Sequence, residues 1–214
     1  CIIKSIDFAR QNGIKIINAS YGGTSFSQAE YESIKRFTDA GGIFVAAAGN
    51  SSTNNNNSPF YPSSYNLDGI IAVTGTTQTD AQIYNYGTTT VDVGAPATNI
   101  YSTSCASDCT SQSYSFWQGT SFSTPYVAGL VALVWGYNPT LTPLGVKNII
   151  MSTGDSLASL STKTLTGKRI NAYNALNAVA NSLATYIPNA GYTVDNVIPA
   201  NQIGNIGGVL TINF

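Results

Sequence analysis

The sequence predicts an α/β fold: a mostly parallel, twisted sheet with helices on both faces. Three features predict it. Segments with helical apolar spacing alternate with short runs rich in β-branched residues. That alternation indicates crossover units with both sheet faces covered, and runs such as Ile43–Ala48 are apolar. They are punctuated by glycine, which lets a chain turn out of a strand without a Cβ clash. A chain of 214 residues is long enough for one sizeable core.

Taken in order, Ile2, Ile3, Ile6 and Phe8–Ala9 recur at helical spacing, and Gly13 ends that helix. Ile14 to Ser20 reads as a buried strand, broken by Tyr21-Gly22-Gly23. Gln28 to Ala40 returns to helical spacing, with Ile34 and Phe37 on one face. Ile43 to Ala48 is a second short strand ending at Gly49-Asn50, followed by a polar, Asn-rich loop over 51–58. Further strands fall at Gly69–Thr74 and Val91–Pro96, the latter leading to Ile100–Thr103. A small-residue turn, Gln118 to Gly129, then feeds an apolar helical run through Leu130–Trp135. Thr142-Pro143 is a helix cap followed by a first-turn proline, opening a short helix over Leu144–Met151. Asn171 caps a last helix that runs to about Ala184. Residues 1–184 thus form one domain, and 185–214 read as a linker or the start of a β-rich C-terminal extension.

Composition narrows the function classes. Charged residues are 9% of the chain and the formal net charge is −1, so nothing suggests a nucleic-acid partner. Hydrophobic residues at 43% argue against an intrinsically disordered chain. No apolar run is long enough to cross a bilayer. A surface built from Ser, Thr, Asn, Gln and Tyr suits a secreted protein. The chain opens at Cys1 without a methionine or a signal peptide, which reads as an N-terminus missing or removed. Cys105 and Cys109 enclose a turn-forming Ala-Ser-Asp spacer, so they read as a disulfide ahead of two free thiols. Cys1 then reads as a small buried residue, with a partner outside the chain as the alternative.

Ser121 is the residue with the strongest chemical placement. It falls at the start of a helix, because Pro125 is tolerated only near the first turn. A hydroxyl there sits beside unpaired N–H donors and the positive end of a helix dipole, which favour developing negative charge. Most serines at such positions are simple N-caps. A nucleophilic serine also needs a base, usually histidine, and the chain contains none.

The wider stretch Gly119-Thr120-Ser121-Phe122-Ser123-Thr124-Pro125-Tyr126-Val127-Ala128-Gly129 resembles the nucleophile signature of the subtilisin-like serine proteases. It departs from that signature at Phe122, Ser123 and Tyr126. The resemblance implies that Ser121 is the nucleophile and that Thr120 supports the oxyanion site. Val45-Ala46-Ala47-Ala48-Gly49-Asn50 matches the family's Ala-Ala-Gly-Asn motif, which makes the Asn50 amide an oxyanion donor and Ala47, Ala48 and Gly49 a wall of the substrate pocket. Ile17 to Gly23 is similar to the family segment whose Ser20, Tyr21, Gly22 and Gly23 positions bind extended substrate. Tyr61-Pro62 matches a motif with a cis peptide bond. Asp92 lies in a Val-Asp-Val segment with a local hydrogen-bonding role, because the family's catalytic acid lies ahead of these residues.

The resemblance covers about residues 1–184 and implies the C-terminal part of a three-layer subtilisin-like domain. The reaction it implies is peptide hydrolysis through an acyl-enzyme, with peptide or protein as substrate. The triad aspartate and histidine would come from a missing segment, so the chain alone is expected to be inactive. No cofactor or metal is required for the chemistry, and a structural calcium is left open. One alternative is a binding or adhesion domain on a degenerate protease fold. Another is a sedolisin-type carboxyl protease, which would carry an aspartate where Asn50 stands.

Overall fold

Buried β-branched strands and two groups of helices build the molecule in layers. The computed structural model describes residues 1–105 and 112–185, with side chains omitted at 105, 112 and 181–185. A compact unit spans Cys1–Ala180 and a second unit spans Asn181–Phe214. The expectation for 185–214 and the proposed Cys105–Cys109 bridge fall on residues outside those described.

Helix α1 (Ile2–Gln11) leads to β1 (Ile16–Ala19), α2 (Gln28–Asp39), β2 (Ile43–Ala47), β3 (Ile70–Thr76) and β4 (Val93–Pro96). A hairpin, β5 (Ile100–Cys105) and β6 (Gln112–Trp117), precedes α3 (Thr120–Tyr137) and α4 (Pro143–Thr153). The short β7 (Asp155–Ser156) and β8 (Lys168–Arg169) and then α5 (Ala172–Thr185) complete the order. The main sheet runs β1-β2-β3-β4-β8-β7. Strands β1 to β4 and β8 are parallel, and only β7 pairs antiparallel.

The pleat divides each central strand between two cores. Ile43 and Val45 of β2 and Ile71 and Val73 of β3 pack with Val127, Leu130, Val131 and Val134 of α3. Phe44 and Ala46 turn the other way, onto Ile34 and Phe37 of α2 and Ile6 of α1. Helices therefore cover both faces, as the alternation of helical and strand segments predicts. Each fully buried Val, Ile or Phe contributes on the order of 1.5–3 kcal/mol.

Two expectations need correction. The Ile14–Ser20 strand is not fully buried: Asn18 is exposed and Ile16 and Ile17 are half-buried. The physical reason is that β1 is the outermost strand of the sheet among the described residues. Cys1 is exposed rather than buried, because it stands ahead of α1 at its N-cap.

Asn171 accepts from the Asn174 N–H at 3.0 Å and so caps α5 as expected. The Tyr61-Pro62 peptide is cis. Asp92 accepts from the Ala72 N–H at 2.8 Å and faces Lys147 Nζ at 3.6 Å, a structural role at the amino ends of β3 and β4. Among the described residues no group of His, Cys, Asp or Glu is arranged to hold a metal ion, and no helix is long and apolar enough to cross a membrane.

Candidate active site

The carboxyl ends of β1 and β2 meet the amino end of α3. This is where open parallel sheets present ligands, because loops diverge there and helix N–H groups point outward. Gly119 is the N-cap of α3 with φ 127°, a conformation that L side chains rarely adopt. A Cβ there would also lie 3.3 Å from Asn50 Nδ2. Gly119 therefore lets the Asn50 amide rest against the start of the helix.

Thr120 fixes that amide. Its N–H donates to Asn50 Oδ1 at 2.9 Å and its hydroxyl donates to the same oxygen at 3.0 Å. The Thr120 hydroxyl in turn accepts from the Gly49 N–H at 3.2 Å, and Thr120 is fully buried. Both bonds go to Oδ1, so Nδ2 must be the free side of the amide. Among the described residues Nδ2 donates to no protein group, and neither does the Ser121 N–H one residue past Thr120. Among the described residues two N–H donors without protein partners, the Asn50 amide and the Ser121 backbone, thus lie on either side of Thr120's contacts at the start of α3.

Ser121 is locked to β1 by a reciprocal pair. Its Oγ donates to the Ser20 carbonyl at 3.2 Å, and Ser20 Oγ donates to the Ser121 carbonyl at 2.8 Å. The second bond follows from Pro125, which has no N–H to offer the carbonyl four residues before it. The proline lies beyond the first turn, further into the helix than the sequence suggests, and Ser20 takes the carbonyl it leaves open.

The remaining residues singled out in the sequence divide by exposure. Gly22 and Gly23 are exposed and Tyr21 is half-buried. Gly23 pairs with Tyr61 through N–H to O bonds of 2.8 and 2.7 Å, so its backbone is already occupied. The Gly22 N–H and carbonyl have no such partner among the described residues, and a Cβ on Gly22 would meet the Tyr61 carbonyl at 2.6 Å. Ala47 and Ala48 are buried at 3% and 0% exposure, so neither presents its side chain to solvent. Gly49, at φ 107°, turns the chain from that buried strand out to Asn50.

Two residues that sequence reasoning missed support this corner. Asn85 Oδ1 accepts from the Ser51 N–H at 2.7 Å, and its Nδ2 donates to Asn55 Oδ1 at 3.0 Å. Asn55 Nδ2 donates to the Ala48 carbonyl at 2.9 Å. Both asparagines are buried, so they tie the Ala48–Thr53 turn from within. The Asn-rich loop reads as polar surface, and no local pattern shows that it folds back. The hairpin strand β6 was also missed; its Trp117 stacks on Phe122 with centroids 5.8 Å apart, beside the serine.

Titration reports burial more than chemistry here. Burial raises the Tyr84 phenol, whose hydroxyl bonds the Ala97 carbonyl. Burial also lifts Asp92 above the ordinary carboxylate range, and Lys147 and the Ala72 N–H pull against it.

A family model described as the subtilase family matches residues 1–177. The chain is 36% identical over 159 residues to subtilisin DY of Bacillus licheniformis, covering 73% of this chain and 55% of that protein. It is 34% identical over 210 residues to an extracellular protease of Xanthomonas campestris pv. campestris, covering 94% of this chain and 35% of that protein. A solved structure of a protease from Pseudoalteromonas arctica PAMC 21717 superposes with a TM-score of 0.73 at 28% identity, covering 83% of this chain and 57% of that one. The chain spans about half the length of subtilisin DY, the relative it matches at 36% identity.

Proposed function

Because the chain belongs to the subtilase family, we propose that it carries the nucleophile and oxyanion site of a serine endopeptidase that works through an acyl-enzyme on Ser121. The observation that carries this reading is the Asn50–Thr120–Ser121 arrangement. Ser121 Oγ would attack the peptide carbonyl. The resulting oxyanion would accept from Asn50 Nδ2 and the Ser121 N–H, two donors that lack protein partners among the described residues. Thr120 would hold the amide so that it need not reorganise as charge develops. Ser20, Tyr21, Gly22 and Gly23 would border the extended substrate, with the free Gly22 backbone groups as pairing sites, and Ala47, Ala48 and Gly49 would back the pocket. Asn50 in the oxyanion position speaks against a carboxyl protease of the sedolisin type.

Residues 1–214 contain no histidine, so the imidazole that deprotonates Ser121, and the aspartate that orients it, come in this reading from polypeptide outside them. The outer face of α3 supports this. Pro125, Tyr126, Gly129, Ala132, Leu133, Gly136 and Tyr137 are exposed, and all are apolar but for the tyrosine hydroxyls. A helix apolar on every side is normally buried. The substrates are peptides or proteins, and secretion is supported by the neutral polar surface and by the extracellular relative.

Fluorophosphonate labelling tests the reading. The complete protein should label, and Ser121→Ala should not. Residues 1–214 alone should stay unlabelled. Rapid Ser121-dependent labelling of that fragment would mean that the serine is activated without imidazole, and the mechanism would be wrong.

A further inference from the structure

The first turn of α2 holds a glutamate that neither the core nor the reaction above uses. Ser27 caps α2, its hydroxyl accepting from the Glu30 N–H at 3.3 Å. In the usual reciprocal arrangement the glutamate three residues on reaches back to the capping residue's own N–H. Glu30 does not. The Ser27 N–H donates instead to the Tyr65 hydroxyl at 3.2 Å. The Glu30 carboxylate turns away and receives two phenols: Tyr21 Oη at 2.9 Å on one oxygen and Tyr65 Oη at 2.9 Å on the other.

Those phenols belong to the two stretches that the Gly23–Tyr61 bridge pairs, the first of which borders the substrate in the reading above. Tyr21 lies between Ser20, which holds Ser121, and Gly22. Tyr65 closes the turn that starts at Phe60–Tyr61, and Tyr61 is the residue that pairs with Gly23. The Tyr65 ring also packs on Tyr61, centroids 4.8 Å apart. One carboxylate therefore joins the segment on either side of the Gly23–Tyr61 bridge. Glu30 has no cationic partner among the described residues, so the phenols are its main compensation.

We infer that Glu30 is a positioning residue, whose carboxylate holds the Tyr21–Gly23 segment against the Phe60–Tyr65 turn at the spacing an extended peptide needs. This rests on the protease reading for its purpose, though not for its geometry. The phenols carry the mark of the contact. Burial, with the Glu30 charge and bond adding to it, drives Tyr21 far above the ordinary phenol range. Burial pushes Tyr65 up to about 12, against the opposing pull of its backbone bond at Ser27.

The test uses the complete protein and the variants Glu30→Gln and Tyr21→Phe. Glutamine cannot accept from both hydroxyls through equivalent oxygens, and Tyr21→Phe removes one arm while leaving the capping residue and α2 intact. Amide exchange at Gly23 and Tyr61 should quicken roughly ten-fold in both, as loss of a charge-assisted bond implies, while β2 and β3 amides hold their protection. Spectrophotometric titration of Glu30→Gln should show a phenol ionising at lower pH. With peptides long enough to run along Gly22, KM should rise roughly ten-fold in both variants and kcat should change less than about two-fold.

Unchanged exchange at Gly23 and Tyr61 in both variants would overturn the inference. So would a fall in kcat with no change in KM. If the parent protein cleaves nothing, the protease reading fails, and the exchange result still decides whether Glu30 sets this spacing.

Discussion

The two ends of the parallel sheet use buried polar groups in opposite ways. At the amino ends of β3 and β4, Asp92 takes the Ala72 N–H and faces Lys147, whose ammonium also bonds the Ile70 carbonyl at 2.5 Å and the Asp68 carbonyl at 3.3 Å. Every group there points at another group of the protein. At the carboxyl ends, Thr120 and the asparagines behind it are just as fully bonded, yet they adjoin donors with no protein acceptor among the described residues: Asn50 Nδ2 and the Ser121 N–H. A buried network closed on itself reports on stability. One that ends in free donors can instead serve a ligand with developing negative charge, the role proposed above for Asn50 and Ser121.

The sharpest way to break this contrast is Asn50→Asp. Aspartate keeps an oxygen for both Thr120 donors but replaces the free amide with negative charge. Turnover by the complete protein should fall about a hundred- to a thousand-fold, the usual loss of an oxyanion donor. Thermal unfolding should shift by only a few degrees. A variant that cleaves within about three-fold of the parent would show that Asn50 does not touch the reacting oxygen.

The opposite end should answer in stability alone. Lys147→Met leaves the Asp92 carboxylate buried without its cation and should cost about 3 kcal/mol, near the low end for a broken buried pair, since both side chains keep slight solvent contact. The pH dependence has a definite sign. Asp92 is already raised by burial, so the folded state binds its proton more tightly than the unfolded one, and its contribution weakens as pH climbs through the carboxylate range. Removing Lys147 raises it further. The gap between variant and parent should therefore narrow on acidification from neutral pH towards about 4, where Asp92 in both is increasingly protonated. Labelling of Ser121 should not change. A gap independent of pH would mean that Lys147 acts through its carbonyl contacts instead.

Asp155 provides a smaller effect of opposite sign. Its bonds to Asn171 and Arg169 hold it below the ordinary carboxylate range. That contribution is present above the unfolded value and is lost as pH falls through the folded one. Asp155→Asn should thus lower the melting temperature slightly at neutral pH and make little difference in acid, and a larger deficit in acid would contradict the assignment.

How far these ends were legible in the sequence follows from the physics of each. Strands β2 and β3 are buried on both faces, so Ile43–Ala47 and Ile70–Val73 stand out as unbroken apolar runs. The turns ahead of Asn50 and of the start of α3 were legible because each needs glycine, Gly49 at φ 107° and Gly119 at φ 127°. Asn55 and Asn85 were not, since a buried asparagine reads like an exposed one until the chain is folded around it. Strand β6 was hidden because Gln112–Trp117 mixes polar and aromatic residues, and Tyr114 and Phe116 are more than 60% exposed. Glu30 sits at capping spacing from Ser27, so a sequence offers the local partner and conceals the distant ones.

The finest distinction concerns Ser20, which belongs to both kinds of network. Its hydroxyl accepts from Asn18 Nδ2 at 3.0 Å and donates to the carbonyl that Pro125 leaves open, a closed arrangement. Its carbonyl receives the Ser121 hydroxyl at 3.2 Å, a contact that would have to break for Ser121 to attack as proposed. Ser20→Ala removes the first role and keeps the second, because the carbonyl remains. The cost should be about 1 kcal/mol, that of a partly buried hydroxyl bond, with the Ser121 carbonyl left to water. Turnover should fall less than about five-fold, since no donor to the oxyanion is lost. A drop as large as that of Asn50→Asp would mean that Ser20 fixes the direction of the Ser121 hydroxyl through the backbone it anchors, and the closed and open networks would then be one.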